Sequence, residues 1–288
     1  MPEISTPDHA SFEKWVVGFA SPVGMTARSA LAVAAAVAAA IFVFGSRTFS
    51  LPKLPGFDGS ILAQPAPLAG LLVVAVMIFV AGLVGTVIAG GIHFDAGLFA
   101  AACGLIALSC RSGTMQSVLF DAAGSQDVFI RLIMELLILG AFLFALWFVL
   151  YRLSGAKAAA PEESGLANNL TATVSQAVAT GVVMMFLCQS EAKNQALASV
   201  GISSLAGAMI AYKYAPTRPS FWFWIGPLLT GVIGYALAAL GQDSNLNVGV
   251  PTGTFAALAR PLPLDYAGAG VAGALLGYWM VSTKVAND

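Results

Sequence analysis

Two short polar interruptions hold the residues of this chain best suited to handle charge. One is Gly90-Gly91-Ile92-His93-Phe94-Asp95; the other is Gln189-Ser190-Glu191-Ala192-Lys193-Asn194-Gln195. Each breaks an apolar run, and each sets a carboxylate beside a base: Asp95 with His93, Glu191 with Lys193. Ionisable groups in an apolar surround are expensive enough to suggest a role, here in the passage of a small solute or ion. Gln176 joins them from a stripe of Asn169, Thr173, Gln176 and Thr180 at helical spacing. A second stripe, Gln195, Ser199 and Ser203, follows the break, so two adjacent helices are expected to face each other through polar side chains. Together, His93, Asp95, Gln176, Glu191 and Lys193 make a candidate polar pathway. The plainer alternative is two exposed turns, with the stripes acting as interhelical hydrogen-bonding contacts of about 0.6 kcal/mol each.

Arg131 and Glu135 are spaced i, i+4 near the start of another apolar run. That spacing predicts a structural ion pair on one helix face, with the arginine reaching toward headgroups.

No catalytic constellation stands out. The chain has no His-Glu-x-x-His, no nucleophile elbow and no paired aspartates in its apolar runs, so enzymatic activity is not expected. His9 and His93 stand at unrelated positions, which argues against haem. Cys103, Cys110 and Cys188 lie inside apolar runs without a Cys-x-x-Cys pair, so neither a metal site nor any other cofactor is expected. A net charge of −1 without a basic block gives no reason to expect nucleic-acid binding.

The elements that must position these residues are membrane helices. Of 288 residues, 58% are hydrophobic and 9% charged, against the roughly 25% charged of a soluble domain. Lipid accepts only helices or closed barrels, and the long apolar runs lack the alternation of barrel strands. The expected fold is an all-α, polytopic transmembrane bundle of about eight spans, with the lipid bilayer as its partner. The spans fall near 29–45, 68–91, 97–110, 128–151, 171–188, 196–211, 221–240 and 266–282. Those at 97–110 and 196–211 are short enough to be re-entrant instead.

Residues 1–28 form an N-terminal segment in which Phe12, Trp15, Val16 and Phe19 predict a short interfacial amphipathic helix, followed by a turn at 21–24. Two membrane halves, 29–152 and 170–288, flank a polar linker at 153–169. A second surface helix is expected at 252–260, and Asp265 reads as the N-cap of the last span. Ala269, Gly273 and Gly277 form a small-residue ladder fit for close packing against another span or another copy, giving a homo- or hetero-oligomer.

Eight spans put Lys14, Arg28, Arg152, Lys157, Lys213, Arg218 and Lys284 on the terminal face, against Arg47, Lys53, Arg111, Lys193 and Arg260 opposite. The positive-inside rule then places both termini in the cytoplasm, as for a protein of a bacterial inner membrane. Trp15, Trp147, Trp222, Trp224 and Trp279 all fall at that same interface. Superposing Asp95 on Glu191 also aligns Gly85 with Gly181, Ala100 with Ala196 and Ile106 with Ile202, a faint inverted repeat of spans two to four in spans five to seven. Two functions fit this pattern. A non-catalytic membrane scaffold or complex subunit leads, because nothing in the spans demands a translocated charge; a small-solute or ion transporter is the alternative.

Overall fold

The computed structural model describes residues 22–48, 60–62, 66–121, 127–153, 165–190, 192–217, 220–240 and 256–285. Among these residues the chain is helical, without strands. The helices are α1 (Pro22–Thr48), α2 (Pro67–Ala89), α3 (Ala96–Ser109), α4 (Met115–Asp121), α5 (Asp127–Leu153), α6 (Leu166–Leu187), α7 (Lys193–Tyr214) and α8 (Phe221–Leu240). The last rod opens with one turn, Pro263–Asp265, passes through a π-helical segment, Tyr266–Gly270, and continues as α9, Val271–Val285. Six helices are long and apolar enough to cross a membrane: Ala27–Ser46 within α1, then α2, α5, α6, α7 and α8. The chain has the helices of a multi-pass membrane protein.

Several local expectations change. The turn expected at 21–24 is, from Pro22 onward, the first turn of α1; proline suits that position because its missing N–H would have no helical partner there. Residues 166–169, assigned to the linker, are already helical in α6. The interfacial helix over 12–19 lies outside the described residues.

The outward faces are apolar. Leu68, Leu72, Val76, Val80, Leu83 and Val87 run exposed along α2, and Val174, Val178, Val182 and Met185 along α6. Large aliphatic side chains left uncovered at helical spacing are what a lipid-facing surface requires. By contrast, α3 is buried over most of its length and every residue from 263 to 275 is buried. These two segments form the centre of the bundle.

Small residues set the approach of the helices, because lipid tails solvate leucine as well as a neighbouring helix does. A Cβ on Gly85 would collide with that of Ala100, and one on Gly97 with the carbonyl oxygen of Gly82, so α2 and α3 meet backbone to backbone. Gly104 of α3 receives the ring of Phe42 from α1. Gly268 brings the π segment against α3, where a Cβ would lie 2.9 Å from the amide nitrogen of Ile106.

The ladder of Ala269, Gly273 and Gly277 is spent inside the chain. Gly273 packs on the carbonyl of Gly201 and Gly277 on that of Leu205, while Gly201 lies 3.7 Å, measured from an added Cβ, from the Cβ of Ala269. Of the two partners expected for this face, another span or another copy, it is another span that covers it: α7 of the same chain.

The surface helix expected at 252–260 is also corrected over its described part. Ala257–Ala259 is a single 3-10 turn, with Ala259 and Arg260 buried and Leu258 packed against Gly234 of α8. Asp265 is not the cap but the third residue after it. Leu262 occupies the cap position, and its N–H donates back to Asp265 Oδ2 at 2.8 Å.

Candidate functional site

The bundle has two chemically different ends, and the residues singled out above divide between them. At the first end, Asp265 stands at the foot of the last rod, 1% exposed. Its Oδ1 accepts the Ser109 hydroxyl from the last turn of α3 and pairs with Lys193 Nζ at 2.8 Å. Lys193 opens α7, so this ion pair joins three helix ends. An acid in the first helical turn is also favoured by the positive end of the helix dipole. Arg260 Nη1 donates to the carbonyl of Cys188 at 2.7 Å, and Tyr235 and Tyr266 donate to the carbonyls of Pro261 and Leu258, each at 2.6 Å. The segment before the last rod is thereby stitched to α6 and α8.

Glu135 reaches the same end from α5, fully buried. It does not pair with Arg131, which is exposed on the outer face of the helix. Its Oε2 instead accepts the Ser60 hydroxyl at 2.6 Å and the Leu62 N–H at 3.2 Å. The spacing allowed an i, i+4 pair, but burial drew the carboxylate inward, where three-dimensional neighbours supply its donors.

Gln176 lies midway along α6, fully buried. Its amide covers Gly226 of α8, where a Cβ would stand 3.0 Å from Oε1. Thr180, one turn on, packs on Gly207 of α7. α6 and α7 do pack together, but the stripe of α6 is divided: Thr173 and Gln176 meet Trp222 and Gly226 of α8, and Thr180 meets Gly207 of α7. The amide of Gln176 and the hydroxyls of Thr180, Ser203 and Ser204 are buried without a hydrogen-bond partner among the described residues. In an apolar interior each such group costs about 1–3 kcal/mol.

The second end is aromatic. Trp147, Phe221, Trp222 and Trp224 form one ring cluster, with centroid separations of 5.1–5.4 Å between Phe221 and each tryptophan. Trp279 stands 5.1 Å from the ring of His93. Trp147, Trp222, Trp224 and Trp279 thus share an end, as their parity suggested; Trp15 lies outside the described residues. Here the turn between α2 and α3 carries Asp95, fully buried, with His93 Nδ1 3.5 Å from its Oδ2. The Trp147 indole N–H and the Ser220 hydroxyl are aimed at the carboxylate, but neither closes to full hydrogen-bond geometry.

Burial pushes Asp95 up to about 7, against the weaker opposing pull of Ser220 and Trp147. It pushes His93 down to about 4. The two effects on stability run in opposite senses. Asp95 costs stability as pH rises from its ordinary 3.8 through 7, because the unfolded chain ionises first. His93 costs stability as pH falls from 6.5 toward 4, because the unfolded chain binds its proton first. Asp95→Asn should remove only the first of these effects. Its gain in thermal stability over wild type, followed by tryptophan fluorescence in detergent, should be near zero at about pH 4 and reach up to about 4 kcal/mol at about pH 8. A gain independent of pH would contradict the assignment.

The five pathway residues are therefore not one cavity's lining. His93 and Asp95 sit at the aromatic end, Gln176 midway and Lys193 at the charged end; Glu191 lies outside the described residues. Asp265 and Ser109 belong with Lys193 but were not read from the sequence as site residues. The sequence carries a signal for Asp265, an acid at the head of an apolar span, where a cap and a buried charge look alike. Among the described residues no three His, Cys, Asp or Glu side chains stand together to hold a metal ion. No protein-family model, curated protein or solved structure matches the chain.

Proposed function

We infer that the protein is a transporter of a small solute or ion, crossing the membrane eight times with both termini cytoplasmic in a bacterial inner membrane. The extra crossings are α3 and the rod from Pro263 through α9. One observation carries the inference: α3 is central and buried, and a buried carboxylate stands at each of its ends, Asp95 at one and Asp265, through Ser109, at the other. Its 14 residues span about 21 Å, short of the roughly 30 Å of hydrocarbon. Polar groups at both ends of a short central helix thin the insulating layer, and the seam of Gln176, Thr180, Ser203 and Ser204 lies between α6, α7 and α8 at intermediate depth. A packing role alone would be served more cheaply by apolar side chains.

The arrangement of helices also supports an inverted repeat. Within each of the triplets α2–α3–α5 and α6–α7–α8 the first two helices form the close pair and the third touches the first more than the second, although α5 packs most extensively on α8. A scaffold assembled through the small-residue ladder has lost that surface to α7, so transport takes precedence over it.

The test is charge displacement in proteoliposomes on a solid-supported membrane, challenged in turn with protons, alkali cations and amino acids. Wild type should respond to at least one of these, and Asp265→Asn should reduce that response at least tenfold. Silence across the whole panel, with protein shown to be inserted and folded, overturns transport.

A further inference from the structure

The aromatic end raises its own question: what binds at an acid buried this completely. Asp95 is fully buried in the turn between α2 and α3, with Trp147 of α5 and Ser220, the residue before α8, beside its carboxylate. Neither carboxylate oxygen has a donor at hydrogen-bond geometry. The nearest titratable group is His93, whose Nδ1 is 3.5 Å from Oδ2. The side chain of His93 is 28% exposed, so its ring bridges the buried carboxyl and the surface. Nδ1 also accepts the Asp95 backbone N–H at 3.4 Å, which turns its lone pair, rather than an N–H, toward the carboxyl side.

We propose that His93 and Asp95 form a proton-binding site, with Asp95 as the acceptor and His93 as its conduit to the surface. Loading begins from a carboxylate and an imidazole protonated on Nδ1. A solvent proton adds at Nε2, giving the imidazolium; Nδ1 passes its own proton to Asp95 Oδ2. The products are a neutral carboxylic acid and a neutral imidazole carrying hydrogen on Nε2, the tautomer that fits the Nδ1 contact with the backbone N–H. Unloading is the reverse.

The surroundings favour a proton over a larger cation. Trp147 presents a donor only, the Ser220 hydroxyl and His93 Nδ1 are the acceptors beside the carboxylate, and a metal ion would need several further oxygen ligands; among the described residues no three His, Cys, Asp or Glu side chains stand together there. Among the described residues no charged side chain competes for the carboxylate. α5 contributes Trp147 and, farther out, Tyr151, which meets Phe94; the Arg152 guanidinium lies 5.0 Å over Phe148. The turn before α8 contributes Ser220, and α9 contributes Trp279, whose ring is tilted against that of His93. Burial raises Asp95 to about 7 and lowers His93 to about 4, so near neutrality the proton rests on the carboxyl.

The site is read by infrared difference spectroscopy of the full chain in detergent, titrated through neutral pH. A protonated-carboxyl C=O band should disappear with a midpoint near 7, be absent from Asp95→Asn and persist in Glu135→Gln. His93→Phe should keep that midpoint but slow the response of the band to a pH jump at least tenfold. If Asp95→Asn does not fold, Asp95→Glu must shift the frequency and midpoint of the band. A band unchanged in the Asp95 variants, or a midpoint in the ordinary carboxylate range, overturns the site; an unchanged rate in His93→Phe overturns the conduit. The proton's role as the coupled ion rests on the transport reading, but the titration does not: titration without flux overturns transport and leaves the site standing, and flux without titration does the reverse.

Discussion

Gly273→Ala should cost the protein about 3 kcal/mol or more, and Gly273→Leu should leave no folded population. At this position α9 rests directly on α7: an added Cβ would fall on the carbonyl oxygen of Gly201 and lie 3.0 Å from its carbonyl carbon. The neighbour is backbone, so no side-chain rotation can clear the space. Nor can α7 swing away, because Gly277 meets Leu205 farther along and Lys193 is held to Asp265 at its start. Overpacking where side chains can adjust costs about 1–3 kcal/mol, and a rigid backbone neighbour puts this site at or beyond the top of that range. Gly91→Ala is the control, since nothing lies within 4 Å of an added Cβ there. Thermal unfolding in detergent, with the monomeric fraction followed by size-exclusion chromatography, separates the two. Equal stability of Gly273→Ala and Gly91→Ala would show that α7 and α9 are not in contact as described.

Lys193→Met is expected to destabilise by about 3–5 kcal/mol, the usual cost of leaving one member of a buried ion pair without its partner. Asp265 would retain Ser109 and the Leu262 N–H, yet its charge would lose the only cation paired with it among the described residues. Asp265→Asn removes the opposite charge while keeping the shape of the side chain. The double variant should therefore lose less than the two single losses added together, by about 1–3 kcal/mol, because no isolated charge remains. A thermodynamic cycle over the four proteins measures that coupling directly. Additivity within about 0.5 kcal/mol would mean that the two groups do not depend on each other. The pair also governs function in the transport reading, since it ties the start of α7 to the foot of the central rod. Loss of flux with retained folding in Asp265→Asn would locate the effect in that tie.

Much of the helical pattern is legible in local composition. The apolar runs near 68–91, 128–151, 171–188 and 221–240 correspond to α2, α5, α6 and α8, and the breaks at 90–95 and 189–195 separate neighbouring helices. The adjacency expected of α6 and α7 holds, but a small residue carries it: Thr180 sits on Gly207, while Gln176, Thr180 and Ser203 of the stripes have no hydrogen-bond partner among the described residues. Where the reading went astray, the missing information was not local. Arg131 and Glu135 have an ideal i, i+4 spacing, but the partner of Glu135 is Ser60, far away in the chain. The ladder of Ala269, Gly273 and Gly277 advertises close packing without saying against what. The surface helix expected at 252–260 ends, in its described part, as a single 3-10 turn whose Ala259 and Arg260 are buried.

Hydropathy is a property of short stretches, so the sequence by itself determined that this is an all-helical membrane protein, roughly where its helices lie and which turns carry charge. Only the tertiary structure decided that Lys193 meets Asp265, that His93 and Asp95 are enclosed by aromatic rings, and that the small-residue ladder faces inward. The physical reason is that these helices are apolar nearly all the way round. In water an apolar stripe would mark the buried face of each helix; in lipid that label is erased, and the choice of neighbour passes to glycine contacts and a few buried hydrogen bonds that become visible only when distant segments are brought together.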